Sequence, residues 1–174
     1  MNVSDYIIEY LEKQGVEHIF TVSGGGSIFL CDALARAKRM KYVCCHHEQA
    51  AGYAAEGYAR ARNSLGVALV TSGPGGTNAV SACAAAWLDG IPLVFISGQA
   101  FLKHTIQDHP GLRQMGVQEI NIIDIVKPIT KYAWMVKDKF QAQDCLSVAV
   151  KEAMADRKGP VWLDIPGDVQ NASL

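Results

Sequence analysis

Three runs in this chain are apolar at nearly every position rather than at every second one: Val67 to Thr71, Ile91 to Ser97 and Val161 to Ile165. A strand with one face in water alternates apolar and polar residues, whereas a strand without that alternation has both faces covered. Sheets covered on both faces are built from parallel strands, and the helical crossovers that join them supply the cover. The fold expected is therefore α/β: a doubly wound, mostly parallel six-stranded sheet with helices on both faces.

The rest of the chain fits that frame. Asn2 or Ser4 can cap a first helix running to about Gln14, with Val3, Ile7, Tyr10 and Leu11 on one face and Gly15 as a stop. His18 to Val22 reads as a strand, and Ser23 to Gly26 as a tight turn into a helix from Ser27 to about Arg39, with Leu30, Leu34 and Ala37 inward. Tyr42 to Cys45 reads as a short buried strand. Gln49 to Ala61 reads as a helix with Ala50, Ala51, Ala54, Ala55, Tyr58 and Ala59 on its apolar face. Asn63 to Gly66 turns into the Val67 strand, and a small-residue helix spans about Thr77 to Leu88. The segment Gly98 to Gln118 shows no period, and a loop this long is usually a lid or an interface. Ile120 to Val126 reads as a short helix and Ile129 to Val136 as a strand. Phe140 to about Arg157 reads as a helix with Cys145, Val148, Ala149 and Ala153 on one side, and Pro166 to Asp168 ends the pattern. With 174 residues and no linker or repeat, one domain over 1–174 is the economical organisation.

Composition excludes several classes. The formal net charge is -1 with basic and acidic residues interspersed, so no basic face points to nucleic acid. No apolar run reaches the roughly 18 residues that would suggest a membrane span. The first residues lack the pattern of a signal peptide. The five cysteines are an odd number with no Cys-x-x-Cys pair, which fits a reducing cytoplasm.

Several constellations bear on chemistry. Glu48 falls past the end of the Tyr42 strand, in the first turn of the next helix; ligands of open α/β sheets bind at such joints. A first-turn acid is also favoured simply by the helix dipole. Two glycine-rich turns follow strands, at Ser23 to Gly26 and at Ser72 to Thr77. Position 78 is Asn, so Gly-x-Gly-x-x-Gly fails, and no P-loop lysine follows. These glycines either cradle a ligand or only permit tight turns. Cys44, Cys45, His46, His47 and Glu48 are consecutive, and neighbours on a strand point to opposite faces, which argues against a metal site there. His104, Asp108 and His109 in the long loop bind metal or substrate, or are merely solvated. No serine sits in a nucleophile elbow.

Taken together, the motifs resemble a known family. His47-Glu48-Gln49, the alanine-rich helix through Glu56-Gly57-Tyr58-Ala59-Arg60, Thr71 to Asn78, Ala85 to Leu93, Ile96-Ser97-Gly98-Gln99 and Val161 to Gln170 are similar, in order, to the first domain of thiamine diphosphate-dependent enzymes of the acetolactate synthase type. The resemblance implies that Glu48 is catalytic, hydrogen-bonding the ring nitrogen of the cofactor's aminopyrimidine from a dry apolar site so that the thiazolium can lose its proton. The cofactor then serves as electron sink in decarboxylating a 2-keto acid such as pyruvate. It further implies cofactor contacts at Gly73, Pro74 and Asn78, a cofactor-touching turn at Gly24 and Gly25, and a polar residue near the substrate at Gln99.

Three departures bear on the substrate and on the first turn. Ser23 stands where relatives have proline, Tyr53 stands where synthases often have histidine, and the loop from Phe101 to Met115 is long. The Gly-Asp-Gly and Asn-Asn pair that holds magnesium and diphosphate is absent from this sequence. The resemblance thus implies a pyrimidine-binding domain that is inactive alone and carries no metal ligand of its own. Its Mg²⁺ and diphosphate would be held by another domain of the same or a partner chain, with flavin (FAD) a possibility in the whole enzyme. A homodimer is expected around the Glu48 helix and the Ser81 helix, through Ala79, Ala82, Ala84 and Ala85. A natural small subunit of a split 2-keto acid decarboxylase and a non-catalytic binding domain are the alternatives.

Overall fold

A computed structural model describes residues 1–109 and 111–174; Pro110 and the side chain of Asp108 lie outside the described set. Six strands form one parallel sheet in the order β2-β1-β3-β4-β6-β5: β1 (His18–Thr21), β2 (Lys41–Cys44), β3 (Gly66–Val70), β4 (Leu93–Gln99), β5 (Tyr132–Met135) and β6 (Val161–Pro166). The helices are α1 (Val3–Lys13), α2 (Ile28–Arg36), α3 (Glu48–Arg62), α4 (Pro74–Asn78), α5 (Val80–Asp89), α6 (Ile122–Val126), α7 (Lys139–Met154) and α8 (Gly167–Gln170). The doubly wound architecture follows the expectation, and every strand pairing described is parallel.

The unbroken apolar strands split their side chains between two cores. Val67, Leu69, Val94, Ile96, Val161, Leu163 and Ile165 face a first core with α1, α2 and α7. Ala68, Val70, Leu93, Phe95 and Trp162 face a second with α3, α5 and α6. The first is built of large aliphatics, and Leu11, Leu30 and Leu146 in it have no solvent exposure. The second is rich in alanine, with the rings of Phe95 and Trp162 stacked 4.8 Å apart.

Local signals set the helix ends. The Asn2 side chain accepts from the Asp5 N–H while the Asn2 N–H donates to the Asp5 carboxylate, a reciprocal cap. The His47 ring nitrogen caps α3 by accepting from the Gln49 N–H, and Asn63 ends that helix in the left-handed conformation. Asp138 caps α7 through the amides of Phe140 and Gln141. The chain's two ends meet: Asn2 and Ser173 form an antiparallel bridge, and the Val3 N–H donates to the Ala172 carbonyl.

Several sequence expectations need correction. β2 is not buried; all four of its residues are exposed, because it is the edge strand. Ala50 and Val148 point outward, while Leu146 and Val150 complete the buried side of α7. Ala37 is only partly buried, since α2 ends at Arg36. The helix expected from Thr77 is two helices joined at Ala79, the first starting at Pro74, where the fixed φ of proline suits a first turn. The Ile129 strand is cut to Tyr132–Met135 by a 3-10 turn at Lys127–Ile129. Gly98 and Gln99 belong to β4 rather than to the loop, and the chain past Pro166 forms α8.

Candidate functional site

The switch point of the sheet lies between β1 and β3. The chain leaves β1 outward to β2, then crosses back to β3 on the other side. The loops leaving the two strands therefore diverge and open a crevice at their carboxyl ends. Both glycine turns lie there, and they pack on each other: the Gly26 N–H donates to Thr71 Oγ1 at 3.1 Å. A Cβ on Gly24 would strike the Thr71 side chain, so the turn after β1 lies flush against the end of β3.

Glu48 begins α3 and is only 9% exposed. Asn78, at the end of α4, donates its Nδ2–H to Glu48 Oε2 at 2.9 Å. The other oxygen, Oε1, lies 3.3 Å from where a Cβ on Gly75 would sit, and that same Cβ would press on Thr71. Glycine at 75 is thus required by the close packing of the second turn on Thr71, with the acceptor oxygen of Glu48 beside it. Gly73 supplies a second requirement: its φ is +57°, and a side chain there would collide with the Gln118 carbonyl. Pro74 is exposed, and its carbonyl accepts from Thr77 Oγ1 at 3.2 Å.

The structure therefore brings Glu48, Asn78, Gly75, Thr71 and Gly24 together. Gly25 and Gln99 lie on the neighbouring side, lining a cleft of about 410 Å³ with Gly26, Phe29, Ser72 and Gln118; Glu48 is not among its walls. A larger groove, about 530 Å³, runs between α1 and α2 beneath Asp5, Glu12, Arg36 and Arg39. Those charges pair with one another, and the groove lies toward the amino ends of β1 and β2, away from the glycine turns.

Gln99 is 2% exposed, with its amide bonded to the Ile120 carbonyl, the Asp164 carboxylate and the Ala100 N–H. Asp164 and Ser97 complete this network, and the sequence reading missed both. The signal was available: an acid within a strand buried on both faces must have partners. Burial pushes the Asp164 carboxyl up to about 7, against the pull of hydrogen bonds from Ser97 and Gln99; the charge of Glu119 adds to the rise. Glu119, also missed, accepts from the amides of Ile106, Met115 and Gly116 and so fixes the long loop. Among the described residues no group of three His, Cys, Asp or Glu side chains is placed to hold a metal ion. His104 instead stacks on Phe101, and His109 is exposed.

Residues 1–125 match the family model described as thiamine pyrophosphate enzyme, N-terminal TPP binding domain. The chain belongs to that family. It is 39% identical over 171 residues to the acetolactate synthase of Arthrospira platensis, covering 97% of this chain and 28% of that protein. It is 37% identical over 169 residues to the acetolactate synthase isozyme 1 large subunit of Escherichia coli (strain K12), covering 97% and 29%. It is 39% identical over 167 residues to the chloroplastic acetolactate synthase of Arabidopsis thaliana, covering 96% and 24%. The chain thus spans less than a third of the length of these relatives. Family membership implies thiamine diphosphate, and the chemistry of the residues suits its aminopyrimidine: a carboxylate, an acceptor for a ring N–H, stands beside the second glycine turn.

Proposed function

We propose that this chain is the pyrimidine-binding part of a thiamine diphosphate enzyme that decarboxylates a 2-keto acid such as pyruvate and joins the product to a second carbonyl compound, as the names of its acetolactate synthase relatives suggest. The observation that carries the proposal is the Glu48 carboxylate, nearly buried at the start of α3, held by Asn78 on one oxygen, with its other oxygen beside Gly75 of the second glycine turn. When bound, thiamine diphosphate supplies a carbon acid that becomes a nucleophile and an electron sink.

The protein's part is proton handling and placement. Glu48 would accept a hydrogen bond from the pyrimidine ring, and a positioned carboxylate of this kind contributes about 10²–10⁴-fold to a proton transfer. Asn78 fixes the carboxylate by donating to its second oxygen. Gly24, Gly25, Gly73 and Pro74 would be the backbone positions that border the ring. In the assembled enzyme, Glu48→Gln should slow exchange of the thiazolium proton by about that factor while the fold persists. Exchange at the normal rate would sink the proposal.

The diphosphate and Mg²⁺ fall to a separate domain, of the same or a partner chain. The isolated polypeptide should therefore not turn over pyruvate, and measurable turnover by it alone would refute this division of labour. α3 and α5 offer the surface for a partner copy: Tyr53, Trp87 and Leu88 are exposed there, the last at 77%. Ala79 and Ala82, expected at that interface, are fully buried within the chain, which leaves Ala84 and Ala85 on its outer side. Five free cysteines support a reducing compartment such as the cytoplasm. Among the described residues no helix is long and apolar enough to cross a membrane.

A further inference from the structure

Asp164 has no solvent exposure, and the proton handling above does not use it. Its bonding is directional. The indole N–H of Trp162 donates to Ser97 Oγ at 2.8 Å. An indole can only donate, so the Ser97 hydroxyl hydrogen is left for Asp164 Oδ1, at 2.6 Å. Gln99 Nε2 donates to Asp164 Oδ2 at 2.9 Å and to the Ile120 carbonyl at 3.0 Å, while Gln99 Oε1 accepts from the Ala100 N–H at 2.9 Å. A carbonyl cannot donate and a backbone N–H cannot accept, so the amide has one orientation whatever the state of Asp164. Both of its N–H groups are committed inside the protein.

Ala100 and Ile120 are the two ends of the long loop, and Gln99 ties both to one point on the sheet. Within the loop, the Glu119 carboxylate gathers three backbone amides. A Cβ on Gly116 would strike Ala100 and the His104 carbonyl, and the Gln118 carbonyl lies against Gly73. His104, Gly116, Val117 and Gln118 form one wall of the cleft beside the glycine turns.

We propose that Asp164 is a positioning residue which, through Gln99, clamps both ends of the 100–120 loop to the sheet and so sets the loop wall of the cleft beside the glycine turns. Gln99 is then a link in the clamp rather than a substrate contact. The proposal rests on the cofactor reading of the cleft only for its effect on ligand affinity.

The test uses the full-length protein that carries this chain, or its complex with the partner chain, and reads amide hydrogen exchange together with thiamine diphosphate affinity. In Asp164→Ala, loop amides such as Met115 and Gly116 should exchange at least tenfold faster than in the wild type. Amides of β3 and α1 should keep their rates, and cofactor affinity should fall about tenfold. Asp164→Asn should restore both, because its Oδ1 still accepts from Gln99 while its Nδ2 turns to Ser97. Gln99→Met, which frees Ala100 and Ile120 while leaving Asp164 in place with its bond from Ser97, should reproduce the alanine pattern, and it decides the matter if Asp164→Ala does not fold. Unchanged loop exchange in Gln99→Met would overturn the clamp, as would equal acceleration of loop and core. Wild-type protein that binds no thiamine diphosphate, with loop exchange still accelerated selectively in the variants, would sink the functional reading and leave the clamp standing.

Discussion

The two faces of the sheet are built for different ends. The face under α1, α2 and α7 is filled with isoleucine, leucine and valine. The face under α3, α5 and α6 is filled with alanine and carries the buried polar groups Ser97, Gln99 and Asp164, with Glu48 at the start of α3. Large aliphatics bury more area per residue and contribute most of the hydrophobic stabilisation, at about 25 cal/mol per Å². Alanines contribute less but let helices lie close to the sheet: a Cβ on Gly52 of α3 would collide with Ala82 of α5. The first face holds the molecule together; the second spends packing strength on placing an acid with accuracy.

That contrast can be broken in both directions. Glu48→Gln gives the largest expected effect, the loss of about 10²–10⁴-fold in thiazolium exchange described above, with the melting temperature nearly unchanged. Leu11→Ala on the first face should do the reverse. It should cost about 2–5 kcal/mol in urea unfolding while each folded molecule exchanges its cofactor proton normally. A loss of exchange in folded Leu11→Ala protein would mean that the faces are not separable. Gly52→Val lies between these cases. It forces α3 away from α5, with an overpacking cost of about 1–3 kcal/mol, and should shift Glu48 enough to weaken cofactor binding as well.

A fourth test sharpens the comparison through pH. The folded-state value of Asp164 is raised to about 7 from an ordinary 3.8, so between these values the native state holds a proton that the unfolded chain has released. The slope of stability with pH is set by protons bound unfolded minus native, which is negative here. The Asp164 contribution therefore falls as pH rises from about 4 to about 7, and levels off above. Chemical denaturation across that range should show the slope in the wild type and a flatter curve in Asp164→Asn. Identical curves would mean that the carboxyl is ionised throughout.

Much of this architecture was legible in the sequence, because strands without alternation admit few arrangements. Asn2 and Asn63 mark helix ends by local chemistry that needs no tertiary context. The failures have a common cause. The burial of β2, Ala50 and Val148 depends on which strand ends at the edge and which helix face meets the sheet, and an apolar side chain carries no record of either. At the site, the sequence singled out Glu48 by its place at a strand exit together with the family resemblance of its motif, and the structure places it at the start of α3. The bond from Asn78 joins two helices, and the clamp at Gln99 joins β4, β6 and the return of the loop. Contacts made across such distances leave little trace in local pattern, although a lone acid in the Val161 run was a sign worth following.

The bridge between Asn2 and Ser173 has a consequence of its own. A unit whose two ends touch can be grafted into a host polypeptide at a single corner, with neither flank obliged to span the body. It can also be rewired, with old termini joined by a short connector and new ones opened elsewhere, without disturbing the order of the strands.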